Sequence, residues 1–140
     1  MGRILALDVG TKTIGVAISD ALGMMAHPLR TLSRQGVRKD TEAVAAIVRE
    51  RDVERVVVGL PLELDGTEER SARLARQIGE AVAEATGLPV VYVDERYSSV
   101  EAERRLLAAG VSRAKRKEVI DQMAAVIILE DWLRSGVDHG

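Results

Sequence analysis

The sequence predicts an α/β fold, a single domain in which helices cover a mixed β-sheet. Two apolar runs, Ile4 to Val9 and Ile14 to Ile18, flank a short turn at Gly10-Thr11-Lys12-Thr13, the pattern of an antiparallel hairpin. Further on, β-branched segments at Arg55–Gly59 and Pro89–Val93 alternate with amphipathic stretches, as buried strands do when helices lie on both faces. The length, 140 residues, suits one globular domain over residues 1–134, with a tail at 135–140 expected to fray.

Each element has its own signal. Residues 3–9 and 14–20 read as the two hairpin strands, and Ala26–Leu32 as a third strand that Pro28 confines to an edge. Gln35-Gly36 breaks the chain before a helix over 39–51, where Val44, Ile47 and Val48 recur at helical spacing. The strand Arg55–Gly59 runs into a loop from Leu60 to Gly66. Thr67 then caps a helix whose stripe is Ala72, Leu74, Ala75, Ile78 and Val82, and Gly87 ends it. After the strand Pro89–Val93, Ser98 or Ser99 caps a helix through about Ala109. Gly110 separates it from a last helix over Lys115–Arg134. The expected order is β-β-β-α-β-α-β-α-α.

Composition excludes several classes. With 46% hydrophobic but only 2% aromatic residues and no Phe, the core must be aliphatic. There is no Cys, which removes disulfides and thiolate metal sites and fits a reducing compartment. No apolar run approaches the roughly 18 residues of a membrane span, and the N-terminus enters a strand directly rather than a signal peptide. His27 and His139 are too few and too scattered for a zinc site. The formal net charge of -2 does not select a polyanionic partner, but its distribution does. Between Arg96 and Lys117 the cations Arg96, Arg104, Arg105, Arg113, Lys115, Arg116 and Lys117 face only Glu101 and Glu103, a local excess that attracts phosphate.

Three acidic positions demand an explanation. Asp8 sits in an apolar strand, where an uncompensated carboxylate costs several kcal/mol. Asp94 and Glu95 close another strand, at the end where open α/β sheets bind ligands. Alternation puts Val91, Val93 and Glu95 on one face and Val90, Tyr92 and Asp94 on the other, so one of the two acids should turn towards Asp8. Asp121 opens an apolar helix row with Ala125, Ile128 and Trp132, beside the row Ile120, Ala124 and Ile127. An oxygen-only set of this kind suits magnesium or manganese. Such ions stabilise attacking and leaving oxygens in phosphodiester cleavage.

Four blocks together resemble the bacterial YqgF/RuvX family, described as pre-16S rRNA nucleases or Holliday-junction-resolvase-like proteins. They are Leu7-Asp8-Val9-Gly10-Thr11-Lys12-Thr13-Ile14-Gly15 with the strand that follows; Val57-Val58-Gly59-Leu60-Pro61-Leu62 with Asp65-Gly66-Thr67; Asp94-Glu95-Arg96-Tyr97-Ser98-Ser99 with Glu101-Ala102-Glu103; and Lys117 with Asp121, Ala124-Ala125 and Ile127-Ile128-Leu129. The resemblance implies an RNase H-like fold of the RuvC type, with a five-stranded mixed sheet and flanking helices. It implies a magnesium- or manganese-dependent nuclease acting in the cytoplasm on the 5′ end of the 16S rRNA precursor. Its acids would be Asp8, Glu95 and Asp121, with Asp94 as the alternative or a fourth acid. Many members carry Arg where this chain has Thr13, and a Thr pair where it has Ser98-Ser99.

Phosphate contacts are expected from Lys12, Arg96, Arg113, Lys115, Arg116 and Lys117, which would read backbone rather than sequence. Among the aromatics Tyr92, Tyr97 and Trp132, Tyr97 is the candidate for stacking on a base. Branched DNA is the alternative substrate, and ribosomal particles are an expected partner of a monomer or homodimer. Two other readings use the same residues. The Asp8–Thr13 hairpin resembles the phosphate-binding turn of actin-like ATPases, and the acids could hold a structural ion in a non-catalytic RNA- or ribosome-binding assembly factor.

Overall fold

A computed structural model of the chain describes residues 2–61, 70–95 and 98–135, without the side chains of Ser98 and Ser99. The expected Thr67 cap, Arg96, Tyr97 and His139 lie outside the described residues. Among the described residues nine elements follow the predicted order: β1 (Arg3–Val9), β2 (Thr13–Ser19), β3 (Ala26–Ser33), α1 (Val37–Arg51), β4 (Val53–Leu60), α2 (Arg70–Thr86), β5 (Val90–Asp94), α3 (Ser98–Ala108) and α4 (Arg113–Ser135). The largest boundary differences are at helix starts and at β4. Here α1 begins at Val37, α4 at Arg113 and β4 at Val53. Periodicity marks where an apolar stripe starts, and polar turns outside the stripe carry no such mark.

The five strands form one sheet in the order β3-β2-β1-β4-β5. β1 pairs antiparallel with β2 and parallel with β4, and β4 pairs parallel with β5. The C-terminal ends of β1, β4 and β5 therefore share one edge, together with the β1–β2 turn. Pro28 lies in β3, an edge strand, and the β2–β3 register shifts between Val16 and Ala17.

The two faces of the sheet are built from side chains of different size. Leu5, Leu7, Ile14, Val16, Val56 and Val58 pack under α1 and α2, against Val44, Ile47, Ala75, Ile78 and Val82. The opposite face offers Ala6, Ala17 and Val57 to Ala125, Ile128, Leu129 and Trp132 of α4. Small sheet residues let a helix backbone approach closely, so α4 lies nearer the sheet than bulky residues would allow. At the far end of α4 the Arg55 guanidinium stands 5.4 Å from the centre of the Trp132 ring.

A buried ion pair ties the β1–β2 turn to the start of α1. Arg34 Nε donates to Asp40 Oδ2 at 2.6 Å, and Arg34 Nη1 donates to the Gly10 carbonyl at 2.7 Å. The Arg34 backbone N–H donates to the Lys12 carbonyl at 2.9 Å. The Gln35 N–H donates to the other Asp40 oxygen at 2.9 Å. Asp40 is only 3% exposed, so its charge depends on these donors. Replacing Arg34 by Met is expected to cost about 3 kcal/mol of unfolding free energy, because it strands that buried carboxylate. A urea melt measures this, and a loss under about 1 kcal/mol would show that the pair does not hold the corner together.

Candidate active site

Asp8 lies one position beyond the well-buried Leu7 on the central strand and shares the α4 face with Ile4 and Ala6. On β5, Val91 and Val93 pack on that same face, whereas Val90 and Tyr92 pack on the opposite one. Glu95 continues the first set. Its backbone N–H donates to the Leu60 carbonyl at 3.1 Å, which extends the β4–β5 ladder by a residue, and its side chain is buried. Asp94, on the other face, is exposed. The alternation thus resolves the pair: Glu95 turns to Asp8 and Asp94 does not.

Asp121 arrives from the helix. Ala125, Ile128 and Trp132 face the sheet, while Ile120, Ala124 and Ile127 face Ala102 of α3. The acid therefore heads the sheet-facing row. The Thr13 hydroxyl donates to Asp121 Oδ2 across the first residue of β2.

Two glycines make this convergence sterically feasible. Gly15 is the partner of Asp8 on β2. A methyl group there would stand 2.0 Å from the Asp121 carbonyl oxygen, inside the backbone of α4. On the other side Leu7 pairs with Val58, so Gly59 is the next position beside Asp8 on β4. A methyl group at Gly59 would meet Ile128 Cδ1 at 2.5 Å and Glu95 Cγ and Cδ at 2.8 Å. The acid stands between two bare backbone positions, one occupied by α4 and the other by the Glu95 side chain. Glycine inside a strand often marks such an approach, and this signal was present at both positions.

Crowding three carboxyls here has an electrostatic consequence. Burial pushes the Asp8 carboxyl well above the usual carboxylate range, the charges of Glu95 and then Asp121 push the same way, and a hydrogen bond with Glu95 helps retain the proton. The donor set is entirely carboxylate oxygen, which matches a hard divalent cation, and such a cation would relieve the repulsion. In this arrangement Asp8 is engaged with Glu95 and Asp121 with Thr13. Among the described residues no three acidic, His or Cys side chains stand close enough together to hold an ion as they are oriented. Asp8, Glu95 and Asp121 fit such a cation by chemistry and by placement around one point of the sheet edge, once their carboxylates turn towards it.

The expected basic segment is less free than its composition suggested. Arg104 and Arg105 bind Glu101, which is held down to about 2 by their hydrogen bonds, and Arg105 also reaches Glu130 at 2.6 Å. Arg116 contacts Glu103 at 3.3 Å and donates to the Val111 carbonyl, and Lys115 lies 3.5 Å from Glu118. Among the described residues Arg113 and Lys117 form no ion pair, and they are exposed, as is Lys12 in the turn. Of the aromatics, Tyr92 packs towards α2 with the Arg76 guanidinium 5.0 Å from its ring centre, and Trp132 is buried far along α4. Neither is available to stack on a base. Helical spacing does not reveal which cations a neighbouring acid will neutralise, so the net charge of this segment overstated its reach.

Because the Asp8 carboxyl is raised in the folded protein, protonation favours folding and stability falls as pH climbs from the ordinary carboxylate range to the raised value. Asp8→Asn should therefore be more stable than the parent at pH 8 in EDTA, by several degrees in melting temperature, and the gap should close near pH 4. Magnesium should raise the parent's melting temperature and leave the variant's almost unchanged. Gly15→Ala should lose at least about 2 kcal/mol, since the clash is with helix backbone. Gly59→Ala should lose less, because Ile128 and Glu95 meet it with flexible ends. Urea midpoints of the two variants check the ranking.

Comparison with known proteins agrees with this architecture. A family model described as RuvX, Holliday junction resolvase, matches residues 2–135. A Myxococcus xanthus protein named "Putative pre-16S rRNA nuclease" is 48% identical over 131 residues, covering 94% of this chain and 87% of its own. A Clostridioides difficile protein of the same name is 49% identical over 132 residues, covering 94% of each. Among solved structures, Thermus thermophilus RuvC in complex with a Holliday junction superposes with a TM-score of 0.59 over 97% of each chain at 18% identity. The fowlpox virus resolvase, in complex with Holliday junction DNA, gives 0.62 over 97% of this chain and 99% of its own at 11% identity. These two likenesses establish the RuvC-type, RNase H-like fold, while the family match and the close relatives establish descent. The chain belongs to the RuvX family.

Proposed function

We propose that this RuvX-family nuclease hydrolyses phosphodiester bonds at the 5′ end of precursor 16S rRNA, in the cytoplasm and with magnesium or manganese as cofactor. The observation that carries the reading is the convergence of Asp8, Glu95 and Asp121 where β1 and β5 end, with Asp8 half-buried and flanked by glycine. A structural carboxylate does not need this arrangement, and a cation-binding one does. The names of the close relatives supply the rRNA precursor.

Asp8, Glu95 and Asp121 would hold the cation. When bound, it supplies the positive charge that stabilises the attacking and leaving oxygens of a phosphodiester. The protein's own contribution is positional. The glycine pair brings the three carboxyls to one side of the sheet edge. Thr13 fixes the Asp121 carboxylate by donating to one oxygen, which leaves the other available. Glu95, sharing a hydrogen bond with Asp8, is placed to exchange a proton at that edge. Lys12, Arg113 and Lys117 supply exposed positive charge for the substrate's phosphates.

The test is cleavage of a precursor rRNA fragment and of a four-way DNA junction in parallel. Asp8→Asn, Glu95→Gln and Asp121→Asn should each lose at least about 100-fold in rate, since even partners one step removed from a cation are worth 10–100-fold. Asp94→Asn should stay within about threefold. EDTA should abolish cleavage, and magnesium or manganese should restore it. Full activity of Asp8→Asn would overturn the reading, and cleavage of the junction alone would replace RNA by branched DNA as substrate.

A further inference from the structure

A second basic surface lies on the other side of the turn. From Ala21 to Lys39 the chain contains no Asp or Glu, while it carries Arg30, Arg34, Arg38 and Lys39. Arg34 is consumed by Asp40 and Gly10. Arg38 and Lys39, in the first turn of α1, are exposed and form no ion pair among the described residues. Glu42, the next acid after Asp40, is exposed and forms no ion pair with either cation. This contrasts with the Arg104–Lys117 segment, where most of the charge is neutralised locally.

The position of the corner gives it meaning. The Gly10–Thr13 turn has the acid site on one side, where Thr13 holds Asp121. On the other side its Gly10 and Lys12 carbonyls accept hydrogen bonds from Arg34. Asp40, which fixes Arg34, immediately follows Lys39. Exposed Lys12 at the crest therefore links the acids to Arg38 and Lys39 through a rigid, hydrogen-bonded corner. Arg113 and Lys117 lie on the opposite flank, at the start of the helix that carries Asp121.

We infer that Lys12, Arg38 and Lys39 form a second phosphate-binding arm, over which an RNA strand held at the acids passes across the turn and onto the start of α1. The inference rests on the nuclease reading above. Free cations on a fixed backbone suit a polyanion, because their affinity comes from counterion release and needs no base contact. The two flanks divide the work: Arg113 and Lys117 engage the strand on the α4 side, and the corner engages it beyond the turn.

The test is the charge reversal Arg38→Glu with Lys39→Glu, against a control with Arg49→Glu and Arg51→Glu at the far end of the same helix. Both doubles make the same change in net charge. RNA binding is measured by fluorescence anisotropy from 50 to 300 mM KCl in an Asp8→Asn background that keeps the RNA intact. Reversal at the corner should weaken binding about tenfold or more at 100 mM and flatten the salt slope by about 1.4, two contacts at 0.7 each for a single strand. The control should change binding less than about threefold. In the active background the corner variant should raise KM for RNA, keep kcat within about twofold, and cleave bis(p-nitrophenyl) phosphate normally, since that diester is too small to reach the corner. Equal losses in both doubles, or a loss with matched single-stranded DNA but not with RNA, would overturn the inference. A parent that cleaves RNA while the corner variant binds it unchanged would sink the corner alone. A parent that neither binds nor cleaves RNA would sink the nuclease reading and the corner with it.

Discussion

The site depends on a steric allowance at the centre of the sheet. Asp8 has no side chain beside it on either neighbouring strand, because Gly15 and Gly59 occupy those positions. Into one gap comes the backbone of α4, bringing Asp121, and into the other comes the side chain of Glu95. A single methyl group on the Gly15 side would collide with helix backbone and lift α4 off the sheet. The same close approach buries the aliphatic row of α4 against Ala6 and Ala17, so packing and site assembly rest on one set of small residues. The contact that packs α4 on the sheet is here also the one that brings Asp121 beside Asp8.

That economy has an electrostatic counterpart. Burial raises the Asp8 carboxyl, and the nearby charges of Glu95 and Asp121 add to it, so the fold works here against both desolvation and charge repulsion. Perturbed carboxyls of this kind cluster at functional sites, and a divalent cation held by the three acids would turn the repulsion into affinity. Around the acids the surface has the opposite sign. Among the described residues Lys12, Arg113 and Lys117 are exposed and unpaired, with Arg38 and Lys39 beyond the turn. On the proposed function, these cations would draw a polyanionic substrate to the rim, and Asp8, Glu95 and Asp121 would hold the divalent ion that its phosphate meets.

The Arg34–Asp40 pair explains how a surface turn is held firmly enough to serve this edge. Its charges are largely buried and are satisfied by the Gly10 carbonyl of the turn and the Gln35 N–H before α1, so the turn moves only if β3 and α1 move with it. Such pairs add little net stability compared with an apolar replacement, but they fix geometry. Here what they fix is the turn that presents Lys12 and Thr13.

How much of this was readable in advance depends on the range of the interaction. The five strands, the edge position of Pro28 and the facing of Glu95 follow from periodicity and backbone geometry, which act within a few residues. Asp8 and Asp121 stand out because one sits within an apolar strand and the other heads an apolar helix row, also local patterns. The ion pairs that quench Arg104, Arg105 and Arg116 were hidden, because side-chain reach between turns and helices is not written in spacing. Arg34, Arg38 and Lys39 are not separable by sequence for the same reason: an arginine bound to Asp40 and one left free look alike in a string of letters. Gly15 and Gly59 carried a visible hint, but a strand glycine says only that something comes close. Which helix and which acid come close is set by the register of β2 on β1 and of β4 on β1, and register exists only once distant segments have packed.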